Sequence, residues 1–256
     1  MVLMGDITLN PRQSVKTSGQ ISNLHFQKLN EAIRGAESTA VDIRGCNGQR
    51  YIASGLGGRD MTISGTPGNA LGAYLDGCKI TVFGNGQDAT GDTMNEGKIV
   101  IKGNIGDAAG YAMRGGKIFV KGNAGYRAGI HMKAYKEKKP IMVIGGRAGS
   151  FLGEYQAGGI IIVLGLNTDG KPIVGNFPCT GMHGGKMFLR TDGKDISFPR
   201  QVSVKKAEPS DLEEIAPIIE EYCEAVGLCA KDILQGEFIV VSPDSKNPYK
   251  QMYVAN

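Results

Sequence analysis

Tryptophan is absent from this 256-residue chain, and aromatic residues make up only 7 % of it. A core poor in large rings must be filled by Ile, Val, Leu and Ala, which suits narrow stacked layers better than a broad globular centre. Cysteine is sparse: Cys46, Cys78, Cys179, Cys223 and Cys229 are odd in number and form no CxxC pair. No disulfide framework is therefore expected, and a reducing cytoplasm is the simplest compartment. Long apolar runs are missing too. The longest, Ile160 to Leu164, is far too short to span a bilayer, so no membrane segment is expected. The first residues carry no basic stretch and reach an acid at Asp6, which argues against a signal peptide. With 29 basic and 25 acidic residues the net charge is +4, no strong basis for binding nucleic acid.

What the chain has is glycine, 39 residues of it, beside only 10 prolines. Glycines Gly65, Gly84, Gly103 and Gly122 close short aliphatic stretches and recur every nineteen residues. Gly72, Gly91, Gly110 and Gly129 keep the same interval, and Gly77, Gly97 and Gly116 follow it with one residue of slack. Ile80–Phe83, Ile99–Lys102 and Ile118–Lys121 are the matching strands, and Ile141–Gly145 and Ile160–Gly165 continue the series with insertions.

A coil of about twenty residues holds two or three short strands, and each sharp turn between them needs φ > 0, which glycine supplies without strain. No single coil buries its own apolar face, so each depends on its neighbours. Strands joined one coil apart run parallel, with a right-handed crossover. The expectation is an all-β core: a right-handed single-stranded parallel β-helix of about seven coils, with helical N- and C-terminal caps. The boundaries read as an N-terminal segment over 1–40, the β-helix over 41–197 and a C-terminal helical and extended cap over 198–256.

The flanks carry helix signals. Ser22 is placed to cap a helix through Arg34, with Gly35 as its C-cap, and Phe26, Leu29 and Ile33 line one face. In the C-terminal flank, Ser210 to Glu213 reads as a capping box, with Pro217 interrupting before a helix to Val226. Ala230–Leu234 is a short helix, Phe238–Val241 a strand, and the tail 247–253 is extended.

Candidate chemistry is thin. His25, His131 and His183 stand in no metal-binding motif, and Cys179 and His183, four apart, lack a second pair. Gly84-Asn85-Gly86, with Ala89 in the third place, resembles a dinucleotide fingerprint but leaves no room for the helix before the next strand. Ser64 and Ser150 read as turn residues beside repeat glycines. Asp76, Asp88, Asp92, Glu96 and Asp107 fall between strands, where such residues serve their own backbone. Tyr111, Tyr126 and Tyr155 recur at comparable turns, as stacked side chains would. The polar excursion Lys133–Lys139 makes the row from Gly122 to Gly145 four residues longer than its predecessors; it reads first as a solvated excursion and second as a contact arm leaving the solenoid. No catalytic, cofactor-binding or metal-ligating residue is assigned.

Rows such as Gly103 to Ile118 resemble the GXGXG repeat domain of the glutamate synthase large (alpha) subunit. A similar repeat forms one subunit of formylmethanofuran dehydrogenase and of other formyl dehydrogenases. The segment Gly45–Ile52 and the tail Asn247-Pro248-Tyr249 with Met252-Tyr253 look like the free-standing glutamate synthase form. The resemblance implies a non-catalytic structural subunit that braces two partners, a glutaminase and a synthase carrying FMN and an iron–sulfur cluster, while binding no cofactor itself. The complex would convert glutamine and 2-oxoglutarate into two glutamates, in the cytoplasm; homo-oligomers are possible. The alternatives are a scaffold of a formyl dehydrogenase and a stand-alone carbohydrate-active β-helix.

Overall fold

The computed structural model describes residues 24–244. Their elements are α1 (Phe26–Gly35), eight strands of one parallel series and a C-terminal unit. The series comprises β1 (Ala40–Asn47), β2 (Asp60–Thr66), β3 (Asp76–Phe83), β4 (Glu96–Ile101), β5 (Lys117–Val120), β6 (Ile141–Ile144), β7 (Ala157–Val163) and β8 (Gly184–Leu189). The C-terminal unit comprises β9 (Val202–Lys206), α2 (Pro209–Val226), α3 (Ala230–Leu234) and β10 (Ile239–Pro243). Strands β1 to β8 pair in sequence order, and β10 then β9 extend the sheet antiparallel beyond β8. The stack is a parallel β-solenoid of about seven turns.

The register is the nineteen-residue period made physical. Ile80 pairs with Ile99 and Ile99 with Ile118, so identical residues stack on identical residues. At the long row Lys117 pairs with Ile141, a step of 24 residues, and Gly146 donates to the Gly122 carbonyl at 2.9 Å. Gly146, and not Gly145, therefore continues the glycine column, and the insertion is one residue longer than the sequence spacing suggests. Its loop is a short exposed hairpin that bends back along the solenoid. Lys138 folds back onto Glu96 at 2.7 Å, and Tyr135 and Lys138 pair with each other.

Alternation along each strand separates two cores. Ile99, Ile101, Ile118 and Val120 point into the lumen, while Val100, Phe119, Val143, Ile162 and Phe188 point outward. The outward set meets Ile215, Ile219, Tyr222 and Val226 of α2, which lies along the side of the later coils. The helix is fastened at both ends: Lys98 at 2.5 Å and Lys117 both bind Glu221, Lys102 donates to the Ala225 carbonyl, and Lys186 meets Glu214 at 2.6 Å. Thus the C-terminal helices cover a flank, and β10 and β9 prolong the sheet at that end. Pro217 does not divide α2. It sits on the exposed side, where the carbonyl left without a donor can bond water. The cap lies two residues earlier than the sequence signal: Glu208 and Asp211 form the capping box, with Pro209 in the first turn.

At the other end α1 buries Leu29 and Ile33 on the first coil, and Arg59 donates to the carbonyls of Arg34, Ala36 and Ser38. The helix starts at Phe26, with His25 at its N-cap, and runs through Gly35 to Ala36. Ser22 and the tail 247–253 lie outside the described residues.

Partial burial disfavours the Glu221 carboxylate, but hydrogen bonds from Lys117 and Lys98 outweigh it and hold its pKa below the ordinary 4.5. A carboxylate with a lowered folded pKa contributes fully above its unfolded value and loses that contribution as pH falls through the folded one. Acid titration below pH 4.5 should loosen α2 early, seen in tyrosine fluorescence, and Glu221→Gln should remove that step.

Candidate docking surface

Opposite the sheet, each coil makes a turn with three alternate residues at positive φ. Gly72 (64°) lies between Ala70 (61°) and Tyr74 (56°), and the pattern returns at 89/91/93, 108/110/112, 127/129/131, 151/153/155 and 177/179/181. The middle position faces the lumen. A Cβ on Gly72 would sit 2.7 Å from the Ile99 side chain, and one on Gly153 2.7 Å from Met187. From Gly72 to Gly153 the middle position is closed to side chains and the outer two carry them, with Tyr74, His131 and Tyr155 exposed; in the last coil Cys179 takes the middle place and Gly181 an outer one, beside exposed Phe177. Glycine thus fills about one in three of these left-handed sites. The other residues there cost about 1 kcal/mol each. Backbone bonds between coils offset this: Tyr74 donates to Asp92 at 2.7 Å, Thr93 to Tyr111 at 2.7 Å and His131 to Glu154 at 2.8 Å.

Two polar ladders border this face. The Asn85 carboxamide accepts from Asn104 N–H, Asn104 from Asn123 and Asn123 from Arg147, at 2.7–2.8 Å. Asp88 accepts from Asp107 N–H at 2.9 Å and Asp107 from Tyr126 at 2.7 Å. These side chains bond the following coil and not their own turn. Asp107→Ala should therefore cost about 1 kcal/mol in urea denaturation. Asp92→Ala should cost about half that or less, because among the described residues its carboxylate accepts only the Thr93 hydroxyl, at 2.8 Å.

One column reads Tyr51, Ala70, Ala89, Ala108, Arg127, Phe151, Phe177, so that after Tyr51 it passes from small to large and aromatic side chains. Asp88, Asp92 and Asp107 flank its early coils. On the later coils Tyr126 meets Phe151 at 5.2 Å, Phe151 meets Phe177 at 5.2 Å, and Arg127 lies over Tyr126 and Phe151 at 4.8 and 5.3 Å. His131 is held between Tyr111, edge-on at 5.8 Å, and Tyr155, stacked at 5.1 Å. The Arg127 Nε lies 2.8 Å from the buried Glu154 carboxylate but off the hydrogen-bond angle, so the two act as an ion pair. The three tyrosines do not stack on one another as the spacing implies: Tyr126 meets Phe151, and Tyr111 and Tyr155 flank His131, with Phe177 and Arg127 as further members that the spacing does not reveal. Among the described residues, six of the ten large apolar ones that are exposed, Tyr51, Tyr74, Tyr111, Tyr126, Tyr155 and Phe177, belong to this side of the molecule. Clustered exposed aromatics are the mark of a contact surface.

The remaining candidates are dispersed. The Cys179 thiol is fully buried 3.6 Å from the Met187 sulfur, and desolvation pushes its pKa up to about 12. His183 Nδ1 lies 3.0 Å from the Gly181 carbonyl, and His25 sits beside Phe26. Ser64 is a strand residue of β2, paired with Phe83, and not a turn; Ser150 accepts from Asn176 N–H at 3.0 Å. Asp76 and Glu96 open β3 and β4 instead of lying in turns. Gly84 to Ala89 form a coil corner: Gly103 donates to Gly84 at 2.9 Å, and Ala89 donates to Asp107 at 2.8 Å. Among the described residues, no three His, Cys, Asp or Glu side chains converge as a metal site would require, and no helix is long and apolar enough to cross a membrane.

Comparison with known proteins places these features in context. The family model described as GXGXG motif matches residues 17–244. An uncharacterized protein of Methanocaldococcus jannaschii, MJ1350, is 41% identical over 244 residues, covering 90% of this chain and 94% of its own length. A chain in the crystal structure of the formyltransferase/hydrolase complex (FhcABCD) from Methylorubrum extorquens, in complex with methylofuran, superposes with a TM-score of 0.60. That match covers 77% of this chain and 71% of the other at 19% identity, a likeness of fold alone.

Proposed function

Because this chain belongs to the GXGXG motif family, we propose that it is a non-catalytic structural subunit that holds other proteins at a fixed separation within a metabolic complex. The observation that carries this reading is the aromatic ridge on the later coils. Large rings stand exposed on a backbone that is bonded coil to coil, so a partner docking there meets a preorganised surface and little side-chain freedom is lost. The proposed complex is of the glutamate synthase type, with a glutaminase and an FMN and iron–sulfur synthase as partners, in the cytoplasm; the rows from Gly103 to Ile118 support it. A second reading, a scaffold in a formyl-transferring or formyl-oxidising complex, is favoured by the fold likeness to a chain of the FhcABCD assembly.

Isolation of the tagged chain from its native cells, followed by identification of what comes with it, separates the two. A flavoprotein and a glutaminase in constant ratio support the first, and formyltransferase or hydrolase subunits the second. Recovery of the chain alone, or turnover of a glycan by the purified chain, would overturn both.

A further inference from the structure

The largest departure from the nineteen-residue step makes a cavity. Ala148 pairs with Val174 and Ile160 with Lys186, a step of 26 residues. The added residues form a loop, 165–173, that faces the segment following β8, 190–196. Between them lies a cavity of about 190 Å³, lined by Thr168 and Lys171 from the loop and by Arg190, Thr191 and Asp195 from the segment. Arg190 is half-buried and fixed in position. Its Nε donates to the Ile233 carbonyl at 3.3 Å, and its guanidinium lies so close to Gly236 that a Cβ there would strike Nε. Its two Nη groups have no hydrogen-bond or ion-pair partner among the described residues, and neither has the Lys171 ammonium. The Thr191 hydroxyl oxygen accepts from the Gly193 N–H at 3.2 Å, which leaves its own proton to donate.

We infer that this cavity binds a phosphate group, as inorganic phosphate or as the end of a small phosphate monoester. Two cations against the single carboxylate of Asp195 leave the cavity net positive, which selects an anion. The Arg190 fork, anchored through Nε, offers its remaining N–H donors to two oxygens of one ligand, the way arginine holds phosphates and carboxylates. The other donors decide between those two. A carboxylate has only two oxygens, in one plane, and the fork alone satisfies them. A tetrahedral phosphate has further oxygens for the Thr168 and Thr191 hydroxyls and the Lys171 ammonium. Volume sets the size of the ligand: the cavity is smaller than the roughly 300 Å³ at which pockets for drug-sized ligands begin, so a nucleotide is too large for it. When filled, the site ties the inserted loop to the end of β8. The binding does not depend on which complex the chain serves.

Isothermal titration calorimetry of the full chain with inorganic phosphate, at constant ionic strength, should show one site with dissociation in the millimolar range or tighter. Arg190→Gln should weaken binding at least about tenfold by removing the fork. That variant also loses the bond to Ile233, so Lys171→Gln supplies a check that spares the fold. The Lys171 side chain is exposed, and its replacement should weaken binding about threefold with an unchanged thermal melt. Asp195→Asn should tighten binding about twofold or more, because it removes the one repelling charge. A parallel titration with glycerol phosphate distinguishes the two sources, since the tighter ligand identifies which form the site takes. Three results would overturn the inference: no saturable binding to the parent chain, binding that survives both Arg190→Gln and Lys171→Gln, or succinate binding as tightly as phosphate.

Discussion

Gly103→Val should prevent the chain from reaching its native state, with a loss of about 4 kcal/mol or more, a large share of the stability of an ordinary domain. Gly103 has no left-handed φ to protect. Its constraint is space. A Cβ there would lie 2.7 Å from the Gly84 carbonyl oxygen and collide with the Asn85 carboxamide, which is itself fixed by the N–H of Asn104 at 2.8 Å. Backbone cannot retreat from a side chain when the next coil is bonded to it: Gly103 donates to Gly84, and Gly122 to Gly103, both at 2.9 Å. A β-branched residue would push neighbouring coils apart and break the column on either side. Gly35 provides the contrast. It ends α1 with open space around its Cα, so Gly35→Ala should leave stability unchanged or raise it by less than about 1 kcal/mol. Circular dichroism and urea melts of the two variants measure the difference directly.

Tyr222→Ala should be the most damaging substitution in α2, at about 3–5 kcal/mol, as expected for emptying a buried aromatic site. The ring is fully buried and meets Phe119 edge-on at 5.7 Å, and its hydroxyl donates to the Val120 carbonyl at 3.2 Å. Removing it opens a cavity between the helix and the outer face of β5. Tyr222→Phe should cost below about 1 kcal/mol, because Val120 keeps the Gly145 N–H at 2.8 Å. If α2 were a loosely attached appendage, the alanine variant would melt like the parent. A cooperative loss shared with the solenoid is the expected outcome.

The repeat makes the solenoid legible because stacking demands the same residue type at the same phase, and Gly84, Gly103 and Gly122 satisfy it without interruption. Where the phase slips, legibility goes with it. The one-residue offset at Gly145 conceals that Arg127, Phe151 and Phe177 share a column, at steps of 24 and 26 residues, and so conceals the aromatic ridge. The capping box at Glu208 is hard to see because a glutamate is an uncommon N-cap, whereas Ser210 two residues later is a favoured one. That α2 covers a side of the stack is written in Val100, Phe119, Val143, Ile162 and Phe188. A strand buried on both faces shows a continuous apolar run, and such runs look alike whichever layer covers them. Asp88 and Asp107 look like local turn residues because sequence shows neighbours along the chain and not across coils.

A rigid scaffold requires coils bonded to each other on the turn face as firmly as on the sheet. Native-state hydrogen exchange resolved by residue tests this most directly. The amides of Ala108, Gly110 and Gly129, which donate across coils at 2.7–2.8 Å, should exchange as slowly as those of the β4 and β5 strands. Rapid exchange at all of these turn amides, with protection confined to the strands, would contradict it.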